Sequence, residues 1–171
     1  MAKTGSKKRA RPRHWLVKSE PGAFSWQDLC DSPERTTCWD GIRNYQARNF
    51  IRDEIAAGDL MLFYHSVAKP TGVAGVAEVV REAYPDPTQF DPAAKYHDPG
   101  SDPDDPRWLM FDLRAVEELP SFVTLQDLKA NPKLGEMLVV QRGQRLSIQP
   151  VKAAEWREVL RMGGLQGSMA R

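Results

Sequence analysis

Apolar positions come in short bursts along this chain, and their spacing changes from segment to segment. His14-Trp15-Leu16-Val17-Lys18 has the length and apolar content of a short strand. Ser25-Trp26-Gln27-Asp28 reads as a capping-box-like start to a short helix, with Asp28 in place of the usual Glu or Gln. Ile42 to Ala57 is the clearest helical pattern. There Ile42, Tyr45, Ile51 and Ile55 can share a face, Asp53 and Glu54 face water, and Gly58 stands where a helix C′ residue belongs. Strand patterns follow at Asp59–His65, Gly72–Val80 and Arg107–Val116, and Gly75 inside the second predicts a bulge or a close backbone approach.

Residues 85–106 break both periodicities. They hold six prolines and six aspartates in 22 positions, which predicts a long loop. A loop of that length without elements of its own is usually functional or mobile. Its aspartates raise the question of a divalent cation, but they lack the EF-hand spacing, and a solvated acidic loop is the simpler reading. Beyond it, Thr124-Leu125-Gln126-Asp127 starts a short helix, and Leu134–Val140 forms a turn or two of helix. Arg145–Ile148 forms a short strand, and Pro150 introduces a terminal helix that runs to about Arg161 and stops at Gly163-Gly164. Strands and short helices in irregular alternation predict an α+β fold, a small mixed barrel decorated by helices. The expected organisation is a disordered tail over 1–12, one domain over 13–164 and a frayed end over 165–171.

Composition adds a charge asymmetry. The formal net charge is +1, yet Lys3, Lys7, Lys8, Arg9, Arg11 and Arg13 place six cations in the first thirteen residues with no acid among them. The remainder carries 18 basic and 23 acidic residues, a formal charge of −5. A basic arm on a mildly acidic body suits phosphate neutralisation, and equally a solubilising tail or a localisation signal. Cys30 and Cys38 share no CxxC, and His14, His65 and His97 are scattered, so neither a structural metal nor a cofactor is expected. No apolar run has the length of a membrane span and no secretory leader is evident. These features predict a reduced compartment: cytoplasmic, or nuclear in a eukaryote.

Several long segments together resemble the EVE domain family of the PUA-like superfamily. They are Trp15–Pro21 (WLVKSEP), Trp39–Phe50 (WDGIRNYQARNF), Gly58-Asp59, Phe63–Ser66, Gly72–Val80, Tyr84-Pro85-Asp86 and Arg145–Val151. The resemblance spans residues 13–162 and implies a PUA-like mixed β-barrel with kinship to YTH domains, which read methylated adenine in RNA. It also implies a nucleic-acid partner carrying modified bases, with modified cytosine in DNA favoured and RNA possible. In the YTH pattern a Lys-Ser pair ends the first strand and a pocket tryptophan follows about twenty residues later. Lys18-Ser19 and Trp39 are similar to these.

A modification on a stacked base can be inspected only if the base is unpaired or flipped out. The receiving pocket needs flat apolar walls and a few donors and acceptors. Trp39 is the expected wall, with Trp26 and Trp108 second, whereas Trp15 and Trp156 sit in regular patterns that favour packing. Ser19 and Asn44 are expected to read the base edge, although Asn44 suits a helix cap equally well. Lys18 belongs to the same expected pocket. Tyr45 closes it or packs on the barrel, and Glu20 accepts from an exocyclic amine or shapes a turn with Pro21. Ser66 lies at the rim. Arg43, Arg48, Arg52, Arg142 and Arg145, with Lys7, Lys8 and Arg9 of the arm, are the phosphate candidates, and Arg48 has the alternative of bracing the fold. No catalytic residue is expected. The rival is a small amide hydrolase of the ASCH type using Lys18, Ser19 and Glu20, which strand alternation disfavours because neighbouring residues point to opposite faces.

Overall fold

A computed structural model describes residues 10–166 of the 171. Six strands are present among them: β1 (His14–Ser19), β2 (Thr36–Trp39), β3 (Leu60–His65), β4 (Gly72–Pro85), β5 (Leu109–Thr124) and β6 (Ile148–Val151). Four α-helices accompany them: α1 (Trp26–Asp31), α2 (Tyr45–Asp53), α3 (Leu125–Ala130) and α4 (Ala153–Met162). The strands form one mixed sheet in the order β2-β5-β4-β3-β1-β6. β1 and β3 pair in parallel within it, between β4 and β6, and every other neighbour is antiparallel.

Strand alternation divides the core into two. Trp15 and Val17 of β1, Met61 and Phe63 of β3, and Ala77 and Val79 of β4 pack on one face with Leu29 of α1 and Ile51 of α2. Leu16, Leu62, Tyr64 and Val76 point to the opposite face, where Leu128 of α3 and Trp156 and Val159 of α4 cover them. Burial on both faces explains why β1 and β3 read as nearly unbroken apolar runs.

The α+β class is as expected, but the sheet does not close into a barrel. Its edge strands β2 and β6 pair only inward, with β5 and β1 respectively. β4 and β5 carry the curvature: their ladder shifts register between Val73/Gly75, Val76/Ala77, Val79/Arg81 and Arg81/Tyr84. Each such irregularity bends and twists the strand that carries it. The bulge expected at Gly75 is there, and so is the close approach. A Cβ on Gly75 would lie 2.4 Å from the Trp26 ring.

Some boundaries moved. The capping box at Ser25/Asp28 formed as read, and the helix start read at Thr124 is there with a box of its own, formed with Asp127. The helix expected over Ile42–Ala57 is only Tyr45–Asp53. Ile42 and Ile55 are buried outside it, and Tyr45 is 53% exposed instead of sharing their face. Gly58 serves the turn into β3, its N–H donating to Val79 O at 2.8 Å, and is not the helix C′ residue. The strand expected at Arg145–Ile148 begins only at Ile148 and contains Pro150, which an edge strand tolerates because one side of its backbone needs no donor.

The acidic loop is ordered around two fully buried side chains, Asp86 and Gln89. Gln89 Nε2 donates to the carbonyls of Asp86 (2.6 Å) and Trp108 (2.9 Å), and its Oε1 accepts from Ser101 Oγ (2.6 Å) and Trp108 N (3.0 Å). Every capacity of that amide is used, which is what burying it requires. Among the described residues no helix is long and apolar enough to cross a membrane. No group of three or more His, Cys, Asp or Glu side chains among them is placed to share a metal ion.

Candidate nucleic-acid interface

The C-terminal ends of β1 and β3 lead to a concavity of about 640 Å³. It draws on both open edges of the sheet, taking Thr37, Cys38 and Trp39 from β2 and Arg145 and Ser147 from the approach to β6. Lys18, Ser19, Glu20, Arg43 and Ser66 also line it. Six of the sequence-predicted side chains therefore come together around Trp39.

Trp39 ends β2 and is half-buried. Phe63 and Phe24 meet its ring nearly edge-on, with centroids at 5.7 and 6.1 Å. Packing against these rings fixes the indole's orientation while it still borders the concavity. Asp40-Gly41-Ile42-Arg43 continues the wall. Gly41 has φ +76°, and a Cβ there would lie 2.7 Å from the Tyr96 ring, so only glycine lets that tyrosine cross over the turn.

Tyr96 arrives on the acidic loop, which is tied to this wall by Arg43 and Asp86. Asp86 Oδ2 accepts from Gly41 N (2.8 Å) and Arg43 Nη1 (2.9 Å), and its Oδ1 accepts from Thr88 N (2.8 Å) and Thr88 Oγ1 (2.6 Å). Burial opposes ionisation of Asp86, but the donors from Thr88, Gly41 and Arg43 outweigh it and hold the carboxyl below its usual range. Arg43 also donates twice to Tyr96 O, and its guanidinium lies 5.6 Å from the Tyr96 ring and 5.5 Å from the Trp108 ring. Arg43 thus borders the concavity but is spent as a brace. It precedes α2 and so is not part of the helix that carries Arg48.

The remaining predicted residues lie elsewhere. Trp26 is 3% exposed and sits beneath Gly75 with its Nε1 lacking a partner among the described residues, so it is core and not wall. Trp108 is buried too: its Nε1 donates to Asp98 Oδ2 at 2.7 Å and its ring lies under Tyr45 at 5.0 Å. Tyr45 therefore closes a different surface. Asn44 is the N-cap of α2, its Oδ1 accepting from Ala47 N at 3.0 Å. Arg48 braces the loop through Arg107 O at 3.0 Å. Lys7, Lys8 and Arg9 lie outside the described residues.

Two expected edge readers are partly committed. Ser19 Oγ donates to Phe24 O, which leaves it only acceptor capacity. Glu20 shapes the turn through its carbonyl, which accepts from Ala23 N and Phe24 N at 2.9 Å each. Lys18 and Ser19 line one concavity despite strand alternation, because the chain turns directly after β1. Yet Lys18 Nζ donates to Gln144 O at 3.0 Å and makes no contact with the Ser19 hydroxyl, so the nucleophile–base pair of a hydrolase is not assembled. Burial draws the Lys18 pKa down and pushes the Cys38 thiol up, with Asp40 and Asp112 adding to the latter.

Sequence reading missed Tyr96, Phe24 and Asp40. An aromatic residue inside a polar loop was the available signal for Tyr96. Asp40 borders the concavity, and its pKa is raised by burial and then by Asp86.

His65 does not face the concavity. Its Nε2 accepts from Trp26 N at 3.0 Å and so caps α1. Only a neutral imidazole can accept, and burial lowers its pKa. The stabilisation is present above the ordinary value of 6.5 and is lost as pH falls through the lower, folded value. His65→Gln, which keeps an acceptor, should flatten the decline of melting temperature between about pH 7 and about pH 5. The expected difference is about 2–4 °C, for a hydrogen bond worth about 1 kcal/mol. Parallel pH profiles for the two proteins would remove His65 from this account.

The family model for the EVE domain matches residues 13–162. The human protein "Thymocyte nuclear protein 1" is 43% identical over 164 residues, covering 86% of this chain and 72% of its own length. A crystal structure of human THYN1 protein in complex with 5-methylcytosine-containing DNA superposes with a TM-score of 0.83 at 42% identity, covering 91% of this chain and 99% of that one. The YTH domain of a Zygosaccharomyces rouxii protein, in complex with N6-methyladenosine RNA, superposes with a TM-score of 0.54 at 14% identity, over 94% of this chain and 89% of that one. At that identity the likeness is one of fold.

Proposed function

The chain belongs to the EVE domain family, and on that premise we propose that it binds nucleic acid by taking a modified base, a modified cytosine in DNA, out of its stack and against Trp39. The observation that carries this reading is the half-buried indole, set by Phe63 and Phe24 on a concavity of about 640 Å³. That volume falls within the roughly 300–1,000 Å³ typical of small-molecule sites. The relative solved with 5-methylcytosine-containing DNA supports the choice of nucleic acid and of base.

In this scheme the indole replaces the stacking that the base gives up, worth about 1–3 kcal/mol against an unstacking cost of a few kcal/mol. Asp40 accepts from the exocyclic amine of cytosine. Ser19 Oγ and Ser66 supply further polar contact, and Tyr96 limits the space left for a substituent. Turnover is not part of the reading, since Lys18 and Ser19 are held apart by Gln144 and Phe24. The cell compartment proposed is the cytoplasm, or the nucleus in a eukaryote.

The test is a titration of four oligomers of one sequence, DNA and RNA, each with cytosine or 5-methylcytosine, followed by fluorescence anisotropy. Methylated DNA should bind tightest. Equal affinity for methylated and unmethylated DNA would overturn the reading, and preference for methylated RNA alone would transfer the target to RNA.

A further inference from the structure

Beside the base concavity lies a second one of about 570 Å³. Lys18, Ser66 and Arg145 line both, so the two are adjoining. The second draws on the end of α3 and on the segment leading toward β6. Lys18, Lys129, Arg142 and Arg145 border it, and no Asp or Glu does.

Its cations are not spent in ion pairs with described carboxylates, as several others of the molecule are. Arg43, Arg52, Arg107, Arg114 and Arg161 each pair with a carboxylate. Lys129, Arg142 and Arg145 form no ion pair or side-chain hydrogen bond with another described residue, and all three are exposed. The backbone adds donors, because the N–H groups of residues 142–145 donate to no described backbone carbonyl. Lys18 Nζ, bonded to Gln144 O, ties this segment to the end of β1.

Unpaired cations and free N–H groups around one hollow are the complement of phosphate oxygens. A base inserted at Trp39 remains joined to its neighbours through its own phosphates, so the strand must leave across an adjoining surface. We infer that this second concavity is the track for the phosphodiester backbone on one side of the inserted nucleotide. The inference rests on the base-binding reading above and adds the path of the strand. It withdraws Arg43 and Arg48, which are spent as braces, from the phosphate candidates, keeps Arg142 and Arg145, and adds Lys129.

The Lys129→Ala/Arg142→Ala double variant tests it, since both residues are exposed and neither lines the base concavity. Binding of methylated and unmethylated DNA is measured between about 50 and 200 mM salt. Affinity for both oligomers should fall by the same factor, with their ratio unchanged. The slope of log affinity against log salt should become shallower by about 1.4–1.8, two phosphate contacts' worth. Arg142→Lys alone should keep the wild-type slope, because it retains the charge. An unchanged slope in the double variant would overturn the track, whatever happened to the methyl ratio. A wild type without methyl preference, beside a double variant with a shallower slope, would remove the base reading and leave the track standing.

Discussion

Trp39→Ala should abolish the preference for methylated over unmethylated DNA while the protein still folds. Losing one stacked base is worth about 1–3 kcal/mol, a fall of roughly 5- to 150-fold in affinity for the methylated oligomer. Unmethylated DNA, held mainly through its backbone, should lose much less. The ring also packs on Phe63 and Phe24, so truncation will cost some stability as well. Trp39→Phe separates the two effects: it keeps a flat apolar face and should retain a measurable methyl preference. The readout is the ratio of the two affinities beside the melting temperature of each variant. A ratio equal to wild type in a folded Trp39→Ala protein would take the indole out of recognition.

The second large effect is expected at Asp86, which is far in sequence from every predicted site residue, the Arg43 it pairs with included. Its carboxylate is fully buried and receives donors from Gly41, Arg43 and Thr88. Asp86→Ala leaves the Arg43 cation without its partner and Gly41 N–H without an acceptor. Breaking a buried ion pair from one side costs about 3–5 kcal/mol. For a domain of this size that is a drop of about 6–20 °C in melting temperature. Methyl preference should weaken too, because the tie holding Tyr96 across Gly41 is gone. Arg43→Met in the Asp86→Ala background should recover part of the loss, since no unpaired charge then remains. A melting temperature within about 2 °C of wild type for Asp86→Ala would show that the loop is held by other contacts.

These expectations show which parts of the molecule were legible in its residues. The capping boxes at Ser25/Asp28 and Thr124/Asp127 are local: each needs residues three apart and nothing else, so both helix starts were read correctly. The apolar runs of β1 and β3 and the irregularity at Gly75 were equally visible. β4 and β5 were read too short, as Gly72–Val80 and Arg107–Val116. Their far ends are mostly half-buried or exposed, without a period-two pattern, and β4 and β5 cross register shifts along their ladder. The terminal helix was found, but Pro150 proved to belong to the strand before it. The resemblance in the WLVKSEP and WDGIRNYQARNF stretches named the family and singled out Trp39.

The five tryptophans mark the boundary between the two kinds of information. Residue type and local pattern told that Trp15 and Trp156 were packing residues, and both are buried. They could not separate Trp26, Trp39 and Trp108, because that depends on what lies over each ring. Gly75 and Phe63 lie against Trp26, Asp98 and Tyr45 hold Trp108, and only Trp39 is left on an open edge of the sheet. All of those partners but Asp98, ten residues before Trp108, are distant in the chain. The same is true of Tyr96, brought to the concavity through Asp86 and Arg43. By itself the sequence determined element types, helix caps, fold class and family, since these follow from periodicity and from residues close together. Tertiary structure alone decided which side chains share a hollow and which cations remain unpaired, because burial and pairing are set by contacts between segments that no local pattern encodes.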